Sequence, residues 1–376
     1  MYKLFSTPFA SLLLARYPLD SHPSLQAFDA ADEYLLTTLA QQPLTKSCQL
    51  LIVNDAFGAL ACHLATSHPM IDSYGDSHLA ELALKQNLIH NQLPPTSVQF
   101  IPSTESLKKH YNCVLIKIPK TLALLEDQLI KIQPYINQDT LIYAAAMVKH
   151  LPKAAVLLLE KYLGSVQYSL AVKKARLLTV TPHEIPLAQS PYPTYYTYPS
   201  LGLKLCNHAN VFCREGLDIG TRVMIPFIKY NPQLKKVADL GCGNGILGII
   251  WATNNPEAEL VLIDESYMAI ASTKENWKRA FPERSSTIKL GDGLLEQPND
   301  SLDCILCNPP FHQQQVIGDY IAKRMFKQAY HSLKQHGELW IVANRHLSYF
   351  QLLKKIFSEV NTITQTNKFI VLKATK

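Results

Sequence analysis

The chain has 376 residues, 47% hydrophobic and 18% charged, with a formal net charge of +6. That length suggests two or three domains, the composition fits a soluble globular protein, and no apolar run approaches the roughly 18–20 residues of a membrane span. The positive excess is mild, 15 Lys+Arg against 14 Asp+Glu over residues 1–185 and 21 against 16 beyond, so it permits a nucleic-acid partner without demanding one.

The opening MYKLFSTPFASLLLARYPLD is interrupted by Pro8 and Arg16. That argues against a signal peptide, and a cytoplasmic protein is expected. Cysteines stand at 48, 62, 113, 206, 213, 242, 304 and 307. Only Cys304 and Cys307 form a C-x-x-C, inside an apparent strand and with no second pair, so the cysteines read as buried small hydrophobes and no metal site is expected.

The first half carries three units: CQLLIVNDAFGALACHLA (48–65), MIDSYGDSHLAELALKQN (70–87) and YNCVLIKIPK (111–120). Residues 181–200, TPHEIPLAQSPYPTYYTYPS, hold five prolines without helical periodicity and read as a linker. This divides the chain into domains 1–190 and 191–376.

The second half begins with a strand at Val237–Leu240, a glycine turn at Gly241, Gly243 and Gly245, and a helix from Ile246 to Ala252. A second strand, Ala258–Ser266, ends in an acid and precedes the helix SYMAIASTKENWKRA. A third strand and loop occupy Ser286–Gly293, a fourth strand is LDCILC, and a helix near 321–335 leads to a fifth, GELWIVANRH. Strands alternating with helices predict an α/β fold with a parallel, doubly wound sheet.

The first half repeats this plan. Ser77 and Ser266, and Asn87 and Asn276, are each 189 residues apart, and Cys113 and Cys304 are 191 apart. Steady offsets point to duplication. The first copy has only Gly58 where the second has three glycines, and Lys117-Ile118-Pro119-Lys120 where the second has Asn308-Pro309-Pro310-Phe311. Two tandem Rossmann-like domains are therefore expected, the first degenerate and left with binding or positioning.

The pattern Asp239-x-Gly241-Cys242-Gly243-Asn244-Gly245 lets a ligand approach the backbone closely. An acid beside the loop suits a cation such as an ammonium better than pyrophosphate. Asp264 could accept from ribose hydroxyls or simply cap the next helix. Asp292 could accept from an adenine amino group or be a turn residue. In that order the features describe S-adenosylmethionine.

Pro309 ends the fourth strand, because it cannot donate to the ladder, and Pro310 stiffens the exit. Such strand ends are where open α/β sheets place ligands. The oxygen of Asn308 and the carbonyl of Pro309 could orient an amine, and Phe311 could stack on a base. His312 reads as substrate-lining, since the chemistry needs no strong base. Phe212 and Asp218–Thr221, just before the first strand, are expected to fold over the cofactor, although packing explains Phe212 equally well. Arg345 and His346 end the fifth strand, as phosphate or base contacts or as a surface basic pair.

Residues 237–311 resemble class I S-adenosylmethionine-dependent methyltransferases that modify amino groups. NHANVFCREGLDIGTRVMI (207–225), CNPPFHQQQ and GELWIVANRHLSYFQLLKKIF (337–357) narrow this to the bacterial ribosomal RNA guanine-N2 methyltransferases, on the large-subunit side, with the small-subunit enzymes as relatives. The resemblance implies a catalytic loop at Asn308, Pro309, Pro310 and Phe311. It implies a cofactor site at Asp239, Gly241, Gly243, Asn244, Gly245, Asp264, Asp292 and Asn308, with Phe212 and Thr221 covering it. It further implies methylation of one guanosine in 23S ribosomal RNA, protein-free or partly assembled, with no obligate protein partner. Rival expectations are the 16S enzyme, an adenine-N6 or release-factor glutamine-N5 methyltransferase, and a non-catalytic RNA-binding protein or chaperone.

Overall fold

The computed structural model describes residues 1–19, 25–42, 44–309 and 315–376, without the side chains of 315–319. Pro310, Phe311 and His312, expected in the catalytic loop and its lining, lie outside the described residues. The chain divides into two compact units, Met1–Tyr192 and Pro193–Lys376.

In unit 1, strands β1 (Lys3–Ser6) and β2 (Ser11–Leu14) form an antiparallel hairpin, followed by α1 (Ala30–Leu39). Then come β3 (Leu50–Val53), α2 (Ala59–Ala65), β4 (Ile71–Gly75), α3 (His78–His90) and β5 (Val98–Pro102). The unit ends with β6 (Cys113–Lys117), α4 (Leu122–Ile132), β7 (Leu141–Met147), α5 (Lys153–Tyr162), β8 (Gly164–Tyr168) and β9 (Ala175–Pro182). Its seven-stranded sheet runs β5-β4-β3-β6-β7-β9-β8, parallel except at β9.

Unit 2 opens with the hairpin β10 (Thr194–Tyr198) and β11 (Leu203–Asn207), then α6 (Ile219–Met224). It continues through β12 (Lys236–Leu240), α7 (Ile246–Asn254), β13 (Glu259–Asp264), α8 (Tyr267–Ala280), β14 (Thr287–Leu290) and β15 (Leu302–Cys307). Last come α9 (Gln315–Ser332), β16 (Leu333–Asn344), α10 (Tyr349–Lys354), β17 (Glu359–Gln365) and β18 (Phe369–Thr375). The sheet order is β14-β13-β12-β15-β16-β18-β17, again with one antiparallel strand, β18. The two orders match strand for strand. The expected tandem doubly wound architecture is realised.

The central strands read as continuous apolar runs because both sheet faces are covered. Along β13, Leu260 and Leu262 enter one core with Trp251 and Trp277, while Val261 and Ile263 enter the opposite one with Phe326 and Tyr349. Cys304 and Leu306 of β15 go to the first core, Ile305 and Cys307 to the second. The two cysteines are thus free and buried three residues apart on opposite faces.

The duplication shows in hydrogen bonds as well as topology. Asn276 holds the hairpin strand β11 by accepting from the Cys206 N–H at 2.6 Å and donating to its carbonyl at 2.9 Å, and donates also to the Asn244 carbonyl. Asn87 does the same in unit 1, gripping both backbone groups of Ala15 and the carbonyl of Phe57. Ser77 and Ser266 both cap their helices, accepting from Ala80 and Ala269. Buried amides must be satisfied, and here the same three-way solution occurs twice.

The antiparallel edges β8–β9 and β17–β18 and the hairpin β10–β11 were not among the expected elements. Regular structure also enters both ends of the expected 181–200 linker, with β9 reaching Pro182 and β10 starting at Thr194.

Candidate active site

The turn after β12 has Gly241, Gly243 and Gly245 at φ +73, +57 and +81. At Gly243 a Cβ would meet none of the described residues within 4 Å, so that side of the loop is open to a ligand. At Gly245 a Cβ would come within 2.9 Å of Thr273 Cγ2, so this glycine serves the packing of α7 on α8. The loop is anchored from behind. Thr273 Oγ1 donates to the Gly243 carbonyl at 2.9 Å, and Asn244 Nδ2 donates to Asn207 Oδ1 at 2.9 Å. Asn244, expected among the ligand contacts, spends its side chain on this scaffold.

Two carboxylates adjoin the turn, and a third lies in the loop after β14. Asp239 is 1% exposed, and its Oδ2 accepts from the Gly248 N–H at 2.8 Å. Burial pushes its pKa up to about 7, against the Gly248 hydrogen bond and with help from the charge of Asp264. Asp264 ends β13 and accepts from the Gly243 and Ser266 N–H groups at 2.9 and 3.0 Å. The cap of α8 is Ser266, so Asp264 fixes the glycine turn instead. Burial raises its pKa while those backbone donors oppose the shift. Asp292 lies in the loop after β14, gripped by Arg324 of α9 through both guanidinium nitrogens, one contact at 2.6 Å. Nothing in the local sequence links residues 292 and 324, and that ion pair was not expected. An ionised carboxylate has about four lone-pair directions, so both oxygens can accept further donors.

Asn308 follows β15, whose Asp239–Leu306 register sets it beside the turn. Its Nδ2 donates to Asp218 Oδ2 at 3.0 Å and to Thr221 Oγ1 at 3.1 Å. Among the described residues its Oδ1 is buried with no hydrogen-bond partner. Pro309 is buried beside it. An orphaned buried acceptor costs about 1–3 kcal/mol, so an arriving N–H donor would be favoured there.

Thr221 is 4% exposed and part of this cluster, whereas Phe212 is 54% exposed in the turn preceding α6. Arg345 and His346 lie just beyond β16, apart from the cluster. With Asn344, Asn367 and Lys368 they line an open cleft of about 500 Å³. Lys368 is a further basic residue there, brought beside Arg345 by a 2.9 Å backbone hydrogen bond. Among the described residues no group of three ligating side chains could hold a metal ion. No helix there is long and apolar enough to cross a membrane.

The corresponding place in unit 1 is differently built. The ladder sets Leu50 against Cys113 as it sets Val237 against Cys304, so Lys117 takes the place of Asn308. Its ammonium bonds Asp29 and Asp32 at 2.7 Å each. Burial alone would lower the Lys117 pKa, but Asp32 and Asp29 hold it raised. An ammonium has donors and no acceptor.

Comparison with known proteins agrees with the geometry. The RLMG N-terminal domain model matches residues 2–184, and the methyltransferase small domain model matches residues 202–373. A ribosomal RNA large subunit methyltransferase G of Stutzerimonas stutzeri is 55% identical over 373 residues, covering 99% of each chain. Its namesake in Pseudomonas aeruginosa strain UCBPP-PA14 is 54% identical over 99% of this chain and 100% of its own. A solved structure of T. Thermophilus 16S rRNA N2 G1207 methyltransferase (RsmC), in complex with AdoMet and guanosine, superposes with TM-score 0.77. It covers 100% of this chain and 98% of its own at 17% identity, a likeness of fold. Both halves are matched by their own family models and the full-length relatives share more than half of their residues with it, so the chain belongs to the ribosomal RNA large subunit methyltransferase G family.

Proposed function

We infer that the protein transfers a methyl group from S-adenosylmethionine to the exocyclic N2 amine of one guanosine in 23S ribosomal RNA. The observation that carries this reading is the orphaned Oδ1 of Asn308 beside the open glycine turn. The large-subunit target comes from the name of the relatives, and the guanine amine fits an acceptor that needs an N–H donor.

The residues present fit the cofactor. The open side of Gly243 would admit it, Asp239 would hold its ammonium, Asp264 its ribose hydroxyls and Asp292 its adenine amine. When bound, S-adenosylmethionine supplies an electrophilic methyl group on a sulfonium. The protein's part is orientation. Asn308 Oδ1 accepts one amine N–H and the Pro309 carbonyl the other, so the nitrogen lone pair points along the remaining direction. As the N–C bond formed and the methyl–sulfur bond broke to leave the neutral thioether, the amine would lose a proton to water, without a strong protein base. Placement of this kind supplies several kcal/mol, up to roughly 7–11 in ideal cases.

A base reaching a strand-end acceptor must be out of its helix, so the substrate is RNA that is protein-free or only partly assembled, in the cytoplasm. Arg345, His346 and Lys368 suit a phosphate of that strand. Arg345 is four residues past Ile341, the ladder partner of Cys307, and Asn308 is one past Cys307, so the cleft opens roughly 10 Å beyond the acceptor. The first unit, with Lys117 in place of the acceptor, positions RNA and takes no cofactor.

Methyl transfer from labelled cofactor to large-subunit RNA, small-subunit RNA, duplex DNA and a release factor, all from cells lacking this protein, tests the reading. Label in large-subunit RNA, recovered as N2-methylguanosine, is the expected result, and Arg345→Ala should lower kcat/KM for that RNA at unchanged cofactor affinity. Label only in another substrate, or on another atom, overturns it. Calorimetry on the full chain is expected to give one S-adenosylmethionine per chain, and a second equivalent would show that unit 1 kept a cofactor site.

A further inference from the structure

We propose that Asp218 is a positioning residue for methyl transfer: its carboxylate fixes which end of the Asn308 amide faces the substrate. The proposal rests on the role of Asn308 given above and adds a residue that never touches the reacting atoms. Asp218 Oδ2 accepts from two donors, the Thr221 N–H at 2.9 Å, as the cap of α6, and Asn308 Nδ2 at 3.0 Å. An asparagine amide has two ends of nearly equal shape, and only its hydrogen bonds decide which way it lies. A carboxylate accepts and cannot donate. Turning the amide over would bring Oδ1 against Asp218 Oδ2 with no proton between them. It would also aim the two Nδ2 protons at an incoming amine, which already supplies the donors. Thr221 Oγ1, 3.1 Å from Nδ2, can either accept or donate and so cannot set the direction alone. Asp218 supplies the asymmetry, and the orphaned Oδ1 is its consequence.

The two halves give an independent argument. Asp29 caps α1 as Asp218 caps α6, accepting from Ala31 and Asp32 N–H groups, and it lies 189 residues earlier. Asp32 stands at the place of Thr221 and Lys117 at that of Asn308. The same contact between a helix-capping carboxylate and a strand-end side chain therefore occurs twice. In unit 1 it fixes an ammonium, which needs no orientation. In unit 2 it fixes an amide, which does.

Asp218→Ser separates capping from orientation. Serine caps helices as well as aspartate does, so α6 and the fold are retained. Its hydroxyl is one bond shorter and can donate as well as accept, so the Asn308 amide loses its preference. We expect kcat on the RNA to fall by tenfold to a hundredfold, with cofactor affinity and melting temperature nearly unchanged. Asn308→Asp alone sets two carboxylates against each other and should be less active still. Asp218→Ser combined with Asn308→Asp removes the facing carboxylate and leaves Thr221 Oγ1 to donate to the new one. It should exceed the Asn308→Asp variant by tenfold or more, a non-additivity that a capping role alone does not produce. The Asn308 side-chain amide protons, followed by NMR in protein labelled at asparagine, read the clamp without any substrate. They should exchange slowly and resonate apart in the wild type and lose this in Asp218→Ser. A wild type that fails to methylate RNA counts against the function proposed above, whereas the NMR arm still decides the clamp. Unchanged kcat and unchanged amide signals in Asp218→Ser would overturn it.

Discussion

Asn308→Ala is expected to lower methyl transfer by about 10²–10³-fold or more, with cofactor affinity within a few-fold of the wild type and little change in stability. The rate effect follows from what is removed: one preorganised polar atom directed at the reacting nitrogen, a kind of group whose loss elsewhere costs that much. The small effect on stability follows from two opposed terms. The alanine loses the hydrogen bonds from Nδ2 to Asp218 and Thr221, each worth about 1 kcal/mol, somewhat more where a charge is involved. It also removes a buried acceptor that has no partner, a defect of about 1–3 kcal/mol. A group that contributes to folding loses stability when cut back, whereas this one should lose rate and leave stability nearly level. The decisive measurements are single-turnover methylation, cofactor calorimetry and a thermal melt on one preparation. A variant that retains more than a tenth of the rate would remove Asn308 from the role of acceptor, and a fall in melting temperature parallel to the fall in rate would make it a structural residue.

What could be read from the sequence divides along a physical line. The parallel core was legible because β12, β13 and β15 are apolar runs ended by glycine, acid or proline, and these punctuations are local chemistry. LDCILC was placed to the residue, since Pro309 stops the ladder. The duplication was legible in Ser77, Asn87 and Cys113 because each does the same local task as its counterpart. The antiparallel strands were missed because EVNTITQ is largely exposed, and FIVLKAT, although Val371 and Leu372 enter opposite cores, pairs with β16 and β17 by a long-range matter of register. At the site, the glycine turn and the strand-end asparagine are compact motifs. The contacts of Asp218 with Asn308 and of Asp292 with Arg324 join residues 90 and 32 positions apart, and nothing near either partner announces the other. Asp218 was visible as part of a segment before the first strand. That it caps α6 is a local pattern, but that the same oxygen orients an amide is a property of the fold.

Asp239→Asn is expected to stabilise the cofactor-free protein at pH 8 and to weaken cofactor binding. Asp239 is 1% exposed, and burial raises its pKa to about 7 in the folded state, against about 3.9 in an unfolded chain. The folded protein therefore holds a proton on Asp239 between those values that the unfolded chain has released. Stability falls as pH rises from about 4 to about 7 and stays low above, by about 4 kcal/mol for the full difference. Asparagine keeps an oxygen for the Gly248 N–H and has no charge to bury, so the variant should lose this slope. Near pH 4 the two proteins should melt alike, and at pH 8 the variant should melt higher by several degrees. The cofactor reverses the balance. An ammonium beside Asp239 favours its ionised form, so wild-type affinity should rise with pH up to about 7, by no more than tenfold per unit, and then level off. The variant should bind more weakly and show a flatter profile, any slope that remains belonging to Asp264, whose pKa burial also raises. The buried charge that costs the protein stability would then be the group that holds the cation. Melting curves and titrations of both proteins at pH 5.5, 7 and 8 separate the outcomes. A variant less stable than the wild type at pH 8, or one that binds S-adenosylmethionine equally well there, would show that Asp239 is only a cap for α7.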